Sequence, residues 1–360
     1  MVDTKLNLTV KLNIKRDQFA LKTDMSLPLE NMTACFGPSG AGKTTFLRHL
    51  VGLDKSPKTS IVLDGDILQD DDSFIETHRR NLGFVDQNPF LFGHLNVEQN
   101  IMLSAKNFST VINKGLLSEL KKRLKIDNLM SRSVSRLSGG EKQRVAILRS
   151  LISLPKVVLW DEPLSAVGYK QKESLIPYLK NTCARLRIPI IYVTHSIDEI
   201  LNYSDQIIII NDGKAEFSKN ISQSLTKVQI PYLNRKGISV FLDAKVIRND
   251  NRYGITIIET GIGRLSIPEC QFEVGQLFRV RILSDDVSIT LSKSKDSSIS
   301  NIFKVKVKKI ASDSKHMKII TLESGSTQIK ARITKKSSEI LNLKLNDEVF
   351  AQIKTVAITY

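Results

Sequence analysis

The chain has 360 residues, which is too long for one ordinary hydrophobic core and predicts two domains. Its composition, 41% hydrophobic and 25% charged residues, excludes wholesale disorder. The net charge of +16 favours an acidic partner, but the basic residues are scattered and only 6% of residues are aromatic, which argues against a nucleic-acid platform.

Short patterns exclude other classes of protein. Apolar runs such as residues 207–210 are far shorter than the ~18 residues of a membrane span, and the first ten residues lack the apolar core of a secretory signal. Cys35, Cys183 and Cys270 are widely spaced and match neither a zinc site nor a disulfide framework. We therefore expect a protein of the reducing cytoplasm.

Up to about residue 230, apolar runs alternate with longer amphipathic stretches, as in an α/β domain with a mainly parallel sheet. Between residues 88 and 136 the pattern turns helical and polar, which predicts a helical insertion. The clearest amphipathic segment is "LLSELKKRLKI". The predicted buried strands are "TACFG", "VVLWD", "IIYVTH" and "QIIIIND".

From about residue 231 the pattern changes to short alternating runs punctuated by Gly, Asn and Asp, which predicts small β-barrel modules. The clearest runs are "FRVRI", "FKVKVKKI" and "EVFAQIKTVAI". A polar stretch at residues 292–301 divides this region into two halves of similar size.

The segment "GPSGAGKT", residues 37–44, matches the phosphate-loop pattern G-x-x-x-x-G-K-[ST] and stands between a predicted strand and a predicted helix. The glycines let backbone N–H groups point at phosphate oxygens, and the helix N-terminus adds a favourable dipole. Lys43 is expected at the β- and γ-phosphates and Thr44 at Mg²⁺. The predicted ATP-binding residues are Gly37, Pro38, Ser39, Gly40, Ala41, Gly42, Lys43, Thr44 and Thr45.

Three other predicted strands end in polar residues suited to phosphate chemistry. "VVLWDEP" ends in Asp161, expected at Mg²⁺, and Glu162, expected to polarise an attacking water as general base. "YVTHS" places His195 where it can contact the γ-phosphate, although such a histidine alone is more often a cap or a packed residue. "FVDQNPFLF" places Gln87 where it can contact Mg²⁺ and the water.

Together with "LSGGEKQR" at residues 137–144, these motifs resemble the nucleotide-binding subunits of ABC transporters over the first 230 or so residues. They match, in order, Walker A, the Q-loop, the signature, Walker B and the switch histidine of that family. The resemblance implies a RecA-like phosphate-loop ATPase in which two chains sandwich two ATP molecules. It also implies that each signature contacts the ATP of the partner subunit, through Ser138, Gly139, Gly140 and Glu141.

One position departs from the family pattern, and the residue that would stack on adenine has only a candidate. Where the family usually has an aspartate after Walker B, in "SALD", this chain reads "SAVG" with Gly168. That aspartate helps to couple the two ATP sites in the family, so we expect activity that is slower or less cooperative. Phe19 is the N-terminal candidate for stacking on adenine, the alternative being a packed strand residue.

The C-terminal region resembles that of the molybdate importer's ATPase, whose last domain, of the TOBE or Mop type, is similar to small molybdate-binding proteins. The resemblance spans residues 292–360. Residues 297–301 lie where those proteins carry Ser-x-Arg-Asn, but here Ser300 replaces the arginine. Hydroxyls, an amide and a lysine are suitable ligands for a tetrahedral dianion. The alternative to an oxyanion-binding domain is a barrel with a purely structural role. The candidate oxyanion ligands are Ser298, Ser300, Asn301 and Lys354.

The sequence thus predicts an ATPase domain at residues 1–230, with its helical subdomain at about 88–156, and an all-β, OB-like regulatory domain at residues 231–360. The leading hypothesis is a homodimeric, ATP- and Mg²⁺-dependent subunit that energises molybdate or tungstate uptake, with the same oxyanions as regulatory ligands. Its expected partners are membrane permease subunits and, indirectly, an extracytoplasmic solute-binding protein, but no nucleic acid. Its expected place is peripheral, on the cytoplasmic face of the inner membrane.

Two alternatives to this hypothesis remain open. One is an importer ATPase for another solute, such as sulfate, polyamine or iron. The other is a cytoplasmic oxyanion-binding or sensing protein with a vestigial ATPase, which the glycine at position 168 mildly favours.

Overall fold

The computed structural model describes residues 6–16, 19–105, 114–227, 238–270, 272–293, 297–354 and 357–358. The chain divides into two compact units, Met1–Lys219 and Asn220–Tyr360. The domain boundary predicted between residues 230 and 231 lies outside the described residues.

The first unit combines one large sheet with helices. Its elements are β1 (Asn7–Arg16), β2 (Phe19–Pro28), β3 (Met32–Phe36), α1 (Lys43–Val51), β4 (Ser60–Leu63), β5 (Asp66–Gln69), β6 (Leu82–Val85), α2 (Val97–Ala105), α3 (Lys114–Arg123), α4 (Gly139–Ile152), β7 (Val157–Asp161), α5 (Tyr169–Leu186), β8 (Ile190–Val193), α6 (Ile197–Tyr203), β9 (Gln206–Asn211) and β10 (Lys214–Ser218).

The sheet has ten strands in the order β5-β4-β1-β2-β10-β9-β3-β8-β7-β6. Strands β6, β7, β8, β3 and β9 form a parallel core, and β3, β7 and β8 are buried along their whole length. Continuous apolar runs suit such strands because both faces of a parallel sheet are covered. The predicted buried strands are therefore confirmed. The antiparallel strands at the other side of the sheet were not predicted.

Parallel pairing brings the carboxyl ends of the core strands to one edge. Val85 of β6 pairs with Trp160 of β7, and Asp161 pairs with Val193 of β8. Val193 in turn pairs with Cys35 of β3. The segments that follow these strands therefore begin side by side, at the edge where open α/β sheets bind ligands.

The helical insertion is organised by apolar packing. Helices α2 and α3 pack on α4, and their buried side chains join one core with β7 and α5. The indole N–H of Trp160 donates to Ser150 Oγ at 3.0 Å, which ties α4 to the sheet. The contributing apolar residues of the insertion include Val97, Ile101, Leu120, Leu124, Val145 and Leu148.

The second unit is almost entirely β-structure. Its elements are α7 (Ile221–Lys227), β11 (Ser239–Asp250), β12 (Ile255–Thr260), β13 (Gly263–Pro268), β14 (Leu277–Leu283), β15 (Val287–Thr290), β16 (Asn301–Ser312), β17 (Met317–Ser324), β18 (Thr327–Thr334), α8 (Lys335–Ile340), β19 (Glu348–Ile353) and β20 (Ala357–Ile358).

Two five-stranded sheets form this unit, ordered β13-β12-β11-β14-β20 and β15-β19-β16-β17-β18. The predicted run "EVFAQIKTVAI" is not one strand, because β19 pairs with β15 and β16 whereas β20 pairs with β14 in the other sheet. Strand β15, which precedes residues 292–301, thus belongs to the sheet of the strands that follow them. Strand β20, which follows these residues, belongs to the sheet of the strands that precede them. Apolar side chains of both sheets share a single core.

None of the described helices is both long enough and apolar enough to cross a membrane.

Candidate nucleotide site

The phosphate loop joins β3 to α1 and closes around the ammonium group of Lys43. Lys43 Nζ donates to the carbonyl oxygens of Gly37 at 2.9 Å and Pro38 at 2.8 Å. Burial lowers the pKa of this ammonium group. The first turn of α1 carries no acidic residue, so its free N–H groups and this lysine are available to a polyanion.

The loop depends on a glycine immediately before α1. Gly42 has a φ of 102°, in the left-handed region that favours glycine. A Cβ there would lie 2.6 Å from Cζ of Phe19, so the Phe19 ring packs directly against the phosphate loop. The candidate adenine-stacking residue is thus beside the loop, partly buried at the start of β2.

A threonine hydroxyl and a buried carboxylate meet beside this loop. Thr44 Oγ1 donates to Asp161 Oδ2 at 2.5 Å. Asp161 is 1% exposed, and burial raises its pKa, an effect that the Thr44 hydrogen bond partly offsets. A hydroxyl and a carboxylate are hard oxygen ligands that suit Mg²⁺, so the two residues predicted at the metal fit one.

Glu162 and His195 face each other at the carboxyl ends of β7 and β8. Glu162 Oε1 lies 2.6 Å from His195 Nε2. Glu162 has a φ of 47°, in the sparsely populated left-handed region, and its N–H donates to the Val193 carbonyl. A carboxylate beside an imidazole can accept a proton from water and keep a fixed orientation.

Gln87 lies two residues beyond β6, and its side chain is exposed. Sequence reasoning overlooked its neighbour Asp86, whose negative charge is one cause of the raised pKa of Asp161. Arg48 of α1 lies 3.9 Å from Asp86 and forms a closer pair with Asp54 at 3.1 Å. The two carboxylates partly balance this cation near the proposed metal ligands.

The signature segment begins α4 with a complete capping box. Ser138 Oγ accepts from the Glu141 N–H at 3.3 Å, and Glu141 Oε2 accepts from the Ser138 N–H at 2.7 Å. These hydrogen bonds lower the pKa of Glu141. Ser138 and Gly139 are exposed, whereas Gly140 packs on the Ala166 carbonyl. The exposed end of the segment is therefore free to meet another molecule.

Gln143 was overlooked although it lies within the signature segment. Its amide donates to Ser165 Oγ at 2.8 Å and to the Glu162 carbonyl at 3.3 Å, and accepts from the Ala166 N–H at 3.0 Å. Gln143 is 4% exposed. It therefore ties the signature helix to the segment that follows Glu162. The sequence signal that could have identified Gln143 was a polar residue on the buried face of the predicted helix.

Gly168 is the N-cap residue of α5, and no side chain caps this helix. Its φ of −63° and ψ of 150° suit any residue, and no atom lies within 4 Å of an added Cβ. An aspartate here has room to accept from the first free N–H groups of α5. The departure from the family pattern thus also removes a helix cap.

Gly168→Asp is expected to stabilise the protein by roughly 0.5–1 kcal/mol, because it adds a cap and removes chain entropy from the unfolded state. Gly168→Ala is the matched control, since it brings the same kind of entropic gain but cannot accept a hydrogen bond, and alanine is a poorer N-cap residue than glycine. Urea unfolding of both variants measures the difference. Equal stability of the two variants would contradict the capping interpretation.

The C-terminal candidates lie at the ends of two paired strands. Asn301 of β16 pairs with Ile353 of β19, which brings Ser300 and Lys354 to neighbouring strand ends. Ser298, Ser300 and Lys354 are exposed. The Asn301 side chain, however, accepts from the Ser266 N–H at 2.8 Å and donates to its carbonyl at 2.9 Å. Its amide is already bound to strand β13.

Comparison with known proteins gives two family matches. Residues 21–165 match the ABC transporter family, and residues 297–359 match the TOBE domain. The Molybdenum import ATP-binding protein ModC of Albidiferax ferrireducens is 36% identical over 353 residues, covering 98% of this chain and 96% of that protein. The protein of the same name from Pseudomonas syringae pv. syringae is 34% identical over 357 residues, with 98% of both chains covered.

Two solved structures share a fold with part of this chain. A dimeric bacterial ABC transporter cassette is 27% identical with a TM-score of 0.50, covering 59% of this chain and 98% of its own. The ATP-binding subunit of an ABC transporter is 23% identical with a TM-score of 0.52, covering 60% of this chain and 90% of its own.

Proposed function

Because this chain belongs to the family of molybdenum import ATP-binding proteins, we propose that it is the ATP-hydrolysing subunit of an importer that moves molybdate, or the similar tungstate, through a membrane permease. The observation that carries this proposal is similarity over nearly the whole chain, the C-terminal unit included. Importers of other solutes and a vestigial ATPase are not favoured, since these relatives are named for molybdenum import.

The residues of the first unit fit ATP and Mg²⁺. The N-terminus of α1 and Lys43 would hold the β- and γ-phosphates, and Thr44 and Asp161 would hold the metal. Bound Mg²⁺ would neutralise charge on the phosphates and orient them. Phe19, packed against the loop, is proposed to stack on adenine.

Hydrolysis is assigned to the Glu162 and His195 pair. Glu162 would take the proton of the attacking water, and His195 would contact the γ-phosphate and hold the Glu162 carboxylate in place. Gln87, exposed beyond β6, would contact the water and the metal once the nucleotide is bound. Asp161, held by Thr44, remains dedicated to the metal.

A second copy of the chain is proposed to complete each ATP site. In the described part of the chain, neither Ser138 nor Glu141 makes a hydrogen bond to the phosphate loop, and Ser138 and Gly139 are exposed. A helix N-terminus whose free N–H groups face outward suits the γ-phosphate of a nucleotide held by the partner. We therefore propose a homodimer with two shared sites.

The permease is proposed to bind beside Gln87. Phe90 and Phe92 are 71% and 51% exposed, and Arg149 of α4 donates to the Phe90 carbonyl at 2.6 Å. Exposed aromatic side chains on an anchored loop are typical of protein interfaces. This contact would hold the subunit peripherally on the cytoplasmic face of the membrane, where it acts indirectly with an extracytoplasmic solute-binding protein.

Regulation by molybdate through the second unit is a separate part of the proposal. Ser298, Ser300 and Lys354 are exposed and offer hydroxyls and a cation, whereas the Asn301 amide is engaged with Ser266. Titration of the full chain with molybdate, and with sulfate for comparison, tests this part. Absence of molybdate binding would leave the barrel a structural role only.

Deletion of the encoding gene is expected to abolish high-affinity uptake of labelled molybdate while leaving sulfate uptake unchanged. The wild-type gene should restore uptake, and a Glu162→Gln copy should not, because transport depends on hydrolysis. Unchanged molybdate uptake in the deletion strain, or a loss of sulfate uptake instead, would contradict the proposed substrate.

A further inference from the structure

Glu199, on α6, is a buried carboxylate that no motif assigned to the site. It is 9% exposed and its Oε2 accepts from Thr194 Oγ1 at 2.6 Å and from the Tyr192 hydroxyl at 3.0 Å. Burial and the Glu199 charge raise the pKa of Tyr192 well above its usual range, so its hydroxyl remains a donor. Glu199 therefore binds Tyr192 of β8 and Thr194, the residue immediately before His195.

The segment after His195 is bound to the same group of residues. The Ser196 N–H donates to Thr194 Oγ1 at 3.0 Å, and Ser196 Oγ accepts from the Glu199 N–H at 3.2 Å. Residues on both sides of His195 are thus linked to Glu199 directly or through one hydroxyl. These contacts fix the backbone that carries the imidazole.

The side chain of Glu199 does not follow its local sequence rule. Ser196 and Glu199 form the same S-x-x-E pattern as Ser138 and Glu141, which close a complete capping box. At α6 the serine caps the helix, but its own N–H binds Thr194 instead of the glutamate. The Glu199 carboxylate is turned towards Thr194, Tyr192 and α5 instead.

The other oxygen of Glu199 is bound from α5. Lys172 Nζ donates to Glu199 Oε1 at 3.0 Å, and the two side chains are 22% and 10% exposed. Lys172 lies in the first turn of α5, directly after the segment that Gln143 ties to the signature helix. A partly buried ion pair thus connects the start of α5 with the His195 segment.

One cavity of about 320 Å³ brings these groups together. It is lined by Glu162, Ser165, Lys172, Tyr192, Thr194, His195, Ser196 and Glu199. We propose that Glu199, held by Lys172, is a positioning residue that keeps His195 against Glu162. This inference rests on the hydrolytic roles proposed for Glu162 and His195. It adds that the orientation of the imidazole depends on α5, so a shift of that helix would change the rate of hydrolysis.

Glu199→Gln and Lys172→Met are the test variants, assayed in the full chain for steady-state ATP hydrolysis. Each is expected to lower kcat by about 10- to 100-fold, the scale expected when a catalytic group moves by ~1 Å. KM for ATP should change by less than about twofold, because the phosphate loop is untouched. Lys172→Arg should restore most of the activity, since it can re-form the ion pair.

A double-mutant cycle separates positioning from general destabilisation. In a His195→Ala background, Glu199→Gln should have no further effect on kcat, because the residue through which it acts is absent. Lys180→Met is the matched control: it removes the Lys180–Asp205 pair of 2.8 Å from the same helix at similar exposure. This control should keep wild-type kcat.

Wild-type kcat in both test variants, an equal loss in Lys180→Met, or a full further loss in the His195→Ala background would each overturn the inference. Failure of the proposed function gives a different pattern. In that case His195→Ala itself would hydrolyse ATP like the wild type, and the positioning role would fall with it.

Discussion

Glu162→Gln is expected to stop ATP hydrolysis while ATP binding remains intact. General-base assistance contributes typically ~10²–10⁴-fold to such reactions, and an amide cannot accept the proton. Glutamine has the same shape and can still hydrogen-bond His195, which lies 2.6 Å from the Glu162 carboxylate. Lys43, Thr44 and Asp161 are unaffected, so the phosphate and metal ligands remain.

Steady-state phosphate release and equilibrium binding of a fluorescent ATP analogue measure the two effects separately. Glu216→Gln is a matched control, because it makes the same chemical change on an exposed position of β10. Turnover within tenfold of wild type would remove Glu162 from the role of general base. Loss of ATP binding would instead indicate that the substitution disturbs the phosphate loop.

Ser138→Arg is expected to abolish hydrolysis by preventing two chains from closing on ATP. Ser138 is exposed at the N-terminus of α4, so the larger cationic side chain projects into the surface proposed to meet the partner. Overpacking a tight contact costs up to ~3 kcal/mol, which corresponds to a loss of about 10²-fold in closure. ATP binding to the open monomer should be unchanged.

The effect on closure is visible in the hydrolysis-deficient background. With ATP, Glu162→Gln should form dimers on size-exclusion chromatography, and Glu162→Gln with Ser138→Arg should remain monomeric. Two variants serve as controls. Ser138→Ala loses the same helix cap, worth ~1 kcal/mol, without the added bulk. Ser135→Arg adds the bulk at an exposed serine outside the signature. ATP-dependent dimers of the Ser138→Arg double variant would contradict the shared site.

The candidate nucleotide site could be proposed from the sequence because its chemistry depends on local patterns. A phosphate loop needs glycines, a lysine and a threonine at fixed spacing between a strand and a helix, and "GPSGAGKT" contains them in consecutive order. Strand β7, which ends in Asp161, and strand β8, which ends two residues before His195, were recognisable in the sequence as continuous apolar runs. The family comparison confirms the predicted fold and ATPase class.

The residues that support the site were not predictable, because their partners are distant in sequence. Asp86 contributes to the raised pKa of Asp161. Gln143 hydrogen-bonds the Glu162 carbonyl and the Ser165 hydroxyl. In isolation, each is an ordinary polar residue on a helix or a loop. Glu199 was harder still, since its S-x-x-E context indicates a helix cap that its side chain does not make.

The sequence by itself determined the fold class, the order of the motifs and the residue types proposed to bind phosphate, since these follow from local periodicity and fixed spacing. Only the tertiary structure decided which distant groups meet: the ion pair of Lys172 with Glu199, the contact of Phe19 with Gly42, and the engagement of Asn301 with Ser266. It also decided that β15 pairs within the sheet of β16 to β19, and that β20 pairs within the sheet of β11 to β14. The physical reason is that strand pairing and buried hydrogen bonds are set by the packing of the whole core, which no local pattern encodes.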